Sequence, residues 1–211
     1  PDDCPRYIGG IVKNVQVGPS PEWMVERLKA AGQRSINNLV DISNYVLLEM
    51  GHPTHIFDYD KLEQKEIHIR RAKKGESLTT LDEANHELNE TQLLITDGKT
   101  PIALAGVMGG LDTAVSEETK SVLVESAYFD PVTTRKSAKS LHMNTDASKR
   151  FERGADPEGA VNGFWRVVSL LQELAGGELV SDMVDEYPKH ITQSEINLRR
   201  SELDLVLGYH V

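Results

Sequence analysis

A carboxylate in the middle of an apolar strand is the residue of this sequence that most demands a chemical explanation. Glu125 lies in Ser121 to Ala127, SVLVESA, where alternation puts Val122, Val124 and Ser126 on one face and Leu123 with Glu125 on the other. Burying a carboxylate unpaired is costly, so Glu125 must meet a donor, either a protein group or a ligand. Upstream, Ile102 to Gly110 reads IALAGVMGG, with three glycines, two alanines and no charge. Such a stretch suits a backbone loop that a ligand approaches closely, or equally a tight turn between two buried strands. It lacks the GxxxxGK[ST] spacing of a P-loop and the GxGxxG order of a dinucleotide site, which argues against phosphate cradling.

A third group with chemical capacity is HPTHIFD, in which Pro53 and Thr54 separate His52 from His55 and Asp58 follows. His-x-x-His spacing suggests a metal, but no further ligands recur nearby and Pro53 forbids the helix that would align two imidazoles on one face. An imidazole presented after a proline turn is placed to hydrogen-bond a substrate, although a surface histidine reads the same way. Neither a Ser-His-Asp order nor a GxSxG elbow is evident, so the sequence supports no covalent nucleophile.

Composition bounds these chemistries. The chain has 211 residues, enough for one large domain or two small ones with a buried core. No apolar run approaches the roughly 18 residues of a membrane span, and no signal pattern opens the chain. Cys4 is the only cysteine, which excludes an internal disulfide and a cysteine zinc site and fits a reducing compartment; a cytosolic protein is expected. A net charge of -10, from 23 basic and 33 acidic residues, argues against broad contact with a nucleic-acid backbone. Between Arg135 and Arg153 the balance reverses to +4, from six basic residues (Arg135, Lys136, Lys139, Lys149, Arg150, Arg153) and two acidic ones. That stretch is either a steering patch for one anionic end of a ligand or a solvated helix face with ion pairs.

The elements that must position these groups are mixed. Tyr7 to Val17 reads as a strand with a bulge at Gly9-Gly10. Ser20 caps a helix with Pro21 in its first turn and Met24, Leu28 and Ala31 as its buried stripe, closed by Gly32. Asn38 or Ser43 caps a second helix that ends at Gly51, with Tyr45, Leu47, Leu48 and Met50 inward. Strands are expected at Ile67 to Arg71, in a hairpin from Ser77 to Leu88, and in a second hairpin that turns at Asp97-Gly98 and delivers the glycine-rich loop. Asp130-Pro131 and Thr145 open two short helices, the best amphipathic helix runs from Pro157 to Ala175, and Glu178 to Val184 closes as a strand. After Pro188 the pattern starts a strand and a capped helix without visible completion.

Five stretches in one order make the sequence less generic: SNYVLLEMGHPTHIFD, LAGVMGG, VESAYFDP, RKSAK and TDASKRFERGADP. The series closely resembles the editing module of the beta subunit of bacterial phenylalanyl-tRNA synthetase, from about Arg6 to Pro188. The resemblance implies an α+β fold with a layered β-sheet core of the β/β/α sandwich type and helices packed outside. It also implies an editing domain over residues 1–190, with 191–211 the truncated start of the following beta-subunit domain.

In that family the module hydrolyses tyrosine wrongly esterified to phenylalanine tRNA. The resemblance makes Glu125 the acceptor of the tyrosine hydroxyl, places His55 beside the ester end and the terminal adenosine, and sets Asn44, with Ser43 before it, near the amino acid. Ala105, Gly106 and Gly109 would wall the pocket, while Thr145 and Ala147 would border its entrance. Arg135, Lys136, Lys139, Lys149 and Arg150 are candidates, on charge alone, for steering the tRNA acceptor end. Attack of a positioned water on the ester is the expected chemistry, with His55 or a terminal hydroxyl of the tRNA assisting. No metal or organic cofactor is implied for editing; ATP and magnesium belong to the whole synthetase. Expected partners are tRNA(Phe), the alpha subunit and the other beta-subunit domains in a heterotetramer. The rival reading is a non-catalytic tRNA-binding or structural module of the same subunit.

Overall fold

The computed structural model describes residues 1–192 and 195–210. In chain order its elements are β1 (Arg6–Lys13), α1 (Glu22–Ala30), α2 (Asn38–Met50), β2 (Thr54–Asp58), β3 (Ile67–Arg71), β4 (Ser77–Thr79) and β5 (Asn85–Glu87). There follow β6 (Leu93–Asp97), β7 (Thr100–Leu104), β8 (Met108–Gly109), β9 (Ser121–Tyr128), α3 (Pro131–Ser140), α4 (Asp146–Phe151), α5 (Gly159–Ala175), β10 (Glu178–Leu179), β11 (Val184–Glu186) and α6 (Arg200–Leu207). The fold is α+β, built on antiparallel sheets.

One sheet has the order β10-β1-β9-β2, with β11 also pairing β1; a second has the order β3-β6-β7-β8; β4 and β5 form a separate hairpin. Alternation along the strands explains how they stack. On one face of the first sheet Ile8, Val12, Ile56, Val122 and Val124 pack with Met24, Leu28, Val46, Phe164 and Leu171 from the helix layer of α1, α2 and α5. On its other face Phe57, Leu123 and Ala127 pack with Leu93, Ile95, Ile102 and Ala103 of the second sheet. The far side of that second sheet buries Leu94 and Leu104 against Leu78, Leu88 and Ala138 from the hairpin and α3. The core is therefore layered helix, sheet, sheet. Glu125 belongs to the face between the sheets.

Several local features differ from the sequence pattern, each for a physical reason. β1 stops at Lys13, and Gly9 and Gly10 lie in an unbroken ladder opposite Glu125 and Val124, with no bulge. What Gly10 supplies is close approach: a Cβ there would come within 2.5 Å of Cζ of the fully buried Phe164. Ser20 does not cap α1, whose N-cap is Pro21, because its hydroxyl donates to Asp41 instead. Asn37 caps α2 by accepting from the Val40 amide, and neither Asn38 nor Ser43 does so, since the Asn38 amide is engaged by Gly18 and Gln16. Ala31 and Met50 are exposed. The closing strand is two short pieces, β10 and β11, which pair different parts of β1.

Asp130 and Thr145 do cap α3 and α4, the latter in a reciprocal capping box with Ser148. α6 has no side-chain cap, and of the strand expected before it residues 193–194 lie outside the described residues while the others are irregular. Gly10→Ala, which drives a methyl group into Phe164, is expected to cost about 1–3 kcal/mol of stability, read as a lowered midpoint in thermal unfolding.

Candidate active site

The site is assembled by strand register. β9 is flanked on both sides, and Glu125 pairs with Gly9 of β1 and with His55 of β2, so these three residues form one row across the face that meets the second sheet. Tyr7 lies diagonally from Glu125 on the same face, opposite Ala127. Its hydroxyl donates to Glu125 Oε2 at 3.1 Å, and among the described residues it is the one hydrogen-bond donor to that carboxyl. Gly9 carries no side chain into the gap between them.

The glycine-rich stretch closes this row from above. β7 ends at Leu104, Gly106 turns at φ +69, and the chain returns as β8. A narrow cavity of about 60 Å³ remains between loop and sheet, lined by Glu125, His55, Gly106, Gly109 and Ala147 with apolar walls that include Ile95, Met108 and Phe151. Gly109 is required by contact rather than by torsion: a Cβ there would stand 2.5 Å from Cε1 and 2.7 Å from Nε2 of His55. The imidazole thus lies flush against the loop backbone, with Phe57 edge-on at 4.4 Å between ring centroids.

His55 also borders a larger cavity of about 250 Å³, lined by Asn37, Val40, Ser43, Leu81, Val115 and neighbours. One imidazole therefore separates a small space that ends at a carboxyl from a roomier one outside it. Ser43 donates to the Thr54 carbonyl at 2.7 Å, which ties α2 to the start of β2 beside His55.

Burial acts on the two titratable groups in opposite senses. It raises the Glu125 carboxyl to about 8, against the smaller opposing pull of the Tyr7 hydrogen bond. It lowers His55 to about 4, so the imidazole is neutral at pH 7. The residue as a whole is half-buried, but Nε2 is buried and finds no hydrogen-bond partner among the described residues. A neutral ring with an unpaired nitrogen can accept a proton or orient a hydroxyl; it cannot serve as a standing positive charge.

The remaining sequence candidates are distributed as follows. Ala105 is buried in the core between the sheets and is not among the residues lining either cavity. Thr145 donates to the Val107 carbonyl at 2.8 Å while capping α4, and so fastens that helix to the loop. Asn44 is half-buried on α2 and is not among the residues lining either cavity. The basic stretch forms two separate grooves. Arg135, Lys136 and Lys139 line one along α3, and Lys149 and Arg150 line another at the end of α4, where both are paired with Asp146. His52 turns away from His55 and packs against Phe151, Gly159 and Gly163. Among the described residues no cluster of three His, Cys, Asp or Glu could hold a metal ion. Tyr7 is the site residue that the sequence pattern hides, because alternation marks it as an ordinary strand residue and only the register brings it to Glu125.

A family model for the B3/4 domain matches residues 3–176. The chain belongs to the B3/4 domain family. This B3/4 chain is 46% identical over 212 residues to the phenylalanine-tRNA ligase beta subunit of Syntrophus aciditrophicus (strain SB), covering 100% of the chain and 26% of that protein. It is 45% identical over 210 residues to the beta subunit of the same name from Thermotoga maritima, covering 100% of the chain and 27% of the relative. The chain thus spans about a quarter of the length of the curated relatives it matches. Among solved structures, an N-terminal fragment of the phenylalanyl-tRNA synthetase beta subunit from Pyrococcus horikoshii is similar with a TM-score of 0.54 and 15% identity, over 100% of this chain and 58% of that one. That likeness supports the shared fold of the B3/4 domain.

The electrostatics give a prediction. Glu125 is raised from an ordinary 4.5 to about 8, so stability present below pH 4.5 is lost progressively as the pH climbs through 8. Glu125→Gln, which cannot ionise, should have a higher melting temperature than the parent at pH 8–9 and should lose that advantage at about pH 4.5, as followed by calorimetry.

Proposed function

We propose that this B3/4 domain is the editing site of a phenylalanine-tRNA ligase beta subunit, hydrolysing tyrosine mis-esterified to tRNA(Phe). The observation that carries the reading is Glu125: a carboxyl 6% exposed, the one charged residue of its strand, facing a cavity with a single protein donor. A pocket that must separate tyrosine from phenylalanine needs such a group. An apolar synthetic pocket rejects an isostere with one added hydroxyl by only about a hundredfold, whereas a site built to hydrogen-bond that hydroxyl can discriminate by about 10⁴ or more. Phenylalanine, entering the same space, would leave the carboxyl partly unpaired.

In this reading the phenol side chain points along the narrow cavity to Glu125, and the aminoacyl ester lies on the His55 side, toward Ser43 in the larger cavity, with Asn44 next to Ser43 on α2 but outside the cavity lining. Gly106, Gly109 and Ala147 keep the wall thin, with Ala105 behind it and Thr145 locking α4 to it. The chemistry is attack of a positioned water on the ester carbonyl. The new bond joins water oxygen to carbonyl carbon, the ribose oxygen leaves, and the water's proton passes to solvent or to the departing ribose oxygen. His55, neutral and with Nε2 unpaired, orients the water or the terminal ribose. This hydrolysis uses no cofactor; ATP and magnesium serve ligation elsewhere in the synthetase.

The grooves at Arg135, Lys136 and Lys139 and at Lys149 and Arg150 guide the acceptor end of the tRNA, and the overall acidity of the chain leaves the rest of the tRNA grip to other parts of the enzyme. Residues 1–190 form the editing unit and 191–211 open the next domain of a cytoplasmic heterotetramer with the alpha subunit.

The experiment is release of tyrosine from tyrosyl-tRNA(Phe) by the complete synthetase, with phenylalanyl-tRNA(Phe) as control. Glu125→Ala should lower tyrosine release by about tenfold or more and His55→Ala should lower it as well, with phenylalanine charging intact. Equal release by all three proteins would make the domain a scaffold.

A further inference from the structure

We propose that Tyr7 is a positioning residue that sets the tyrosine preference of the Glu125 cavity, a role that rests on the editing reading above. Three observations carry it. First, the β1-β9 register fixes Tyr7 diagonally beside Glu125 on the face between the sheets, and its hydroxyl donates to Oε2 at 3.1 Å. Second, no other described residue donates to that carboxyl, and Gly9, directly opposite, contributes no side chain. Third, the carboxyl lines the cavity. One oxygen is thereby held by the protein, and the plane of the carboxyl is set so that the other is available to a hydroxyl arriving from the cavity. A free carboxyl rotates about its last torsion with little preference, so without Tyr7 the acceptor is no longer aimed.

Tyr7 also governs how much of Glu125 is ionised. Burial raises the carboxyl to about 8 and the Tyr7 hydrogen bond is the influence that opposes this rise. Few charges complicate the titration. Tyr7 itself stays protonated, because burial and then the Glu125 charge push its hydroxyl well above its ordinary value. Cys4, near the start of β1, is pushed up to about 12 and stays a thiol. His55, from β2, is neutral above about 4. The other residues lining the cavity carry no titratable group. The carboxylate accepts both hydroxyls, from Tyr7 and from the bound tyrosine, so preference for the tyrosyl ester rises as the pH passes through the Glu125 transition.

The test measures hydrolysis of tyrosyl-tRNA(Phe) and phenylalanyl-tRNA(Phe) by the complete synthetase across that transition. The readout is the ratio of the two enzymic rates, each taken after subtracting the base-catalysed loss of the same ester measured without enzyme. Tyr7→Phe should lower the tyrosyl-over-phenylalanyl ratio by about tenfold and move its pH midpoint upward by about one unit, with phenylalanine charging, a reaction of another site, as the control. In a Glu125→Ala background the same change should have no further effect on the ratio. If Tyr7→Phe keeps the parent ratio and midpoint while Glu125→Ala loses the preference, the role of Tyr7 is refuted and the editing reading stands. A Glu125→Ala protein that keeps the parent ratio refutes both. Parallel loss on both esters, or an added loss in the double variant, makes Tyr7 a packing residue and overturns the inference.

Discussion

The cost of keeping one carboxyl between two apolar sheets is the constraint to which the rest of this molecule answers. Glu125 is on β9, which is hydrogen-bonded along both edges, by β1 and by β2. A slip of one residue in either ladder would exchange Glu125 with Val124, sending the carboxyl into the helix layer and an isopropyl group into the cavity. The register is therefore protected by the same residue that makes the site. The helix layer secures it from behind, since Ile8, Val12, Val122 and Val124 must all meet Phe164 and its neighbours at once.

Because the site is made by register, its electrostatics follow from burial more than from charge pairing. Desolvation pushes Glu125 up and His55 down, and both movements bring the pair toward neutrality near pH 7. The charges that do exist lie outside the pocket, in the grooves of α3 and α4, where Lys149 and Arg150 already share Asp146. Such half-buried surface pairs are worth little energetically.

Much of this is legible in the sequence alone. The oddity of Glu125, the thinness of IALAGVMGG and the two hairpins follow from alternation, glycine content and an Asp-Gly turn, all of them local signals. The caps at Asp130 and Thr145 are equally plain. Non-local features are less legible. The Gly9-Gly10 pair looks like a bulge, yet it serves close packing against Phe164 from a helix more than 150 residues away in sequence. Ser20 and Asn38 have the side chains of helix caps but are claimed by Asp41 and by backbone groups of another segment. Tyr7 gives no signal, because its importance lies in which strand β1 pairs with. The basic stretch reads as one patch along the chain and becomes two grooves when α3 and α4 turn relative to each other.

These distinctions bear on why the carboxyl is retained. For a structural role, a buried Glu with one donor is a poor choice: an apolar residue of similar size would fill the space without a desolvation cost. The local rule broken at Glu125 is matched by glycine at three nearby positions: Gly9 opposite the carboxyl in the ladder, Gly106 where the loop turns at φ +69, and Gly109, whose missing side chain leaves room for the imidazole. Positions that depart from the pattern of a stable core, and do so together around one cavity, are where function is expected to take precedence over stability. The carboxyl, its one tyrosine donor and the thin loop over His55 form such a group, and a hydroxyl-bearing ligand would supply the second donor that the protein does not.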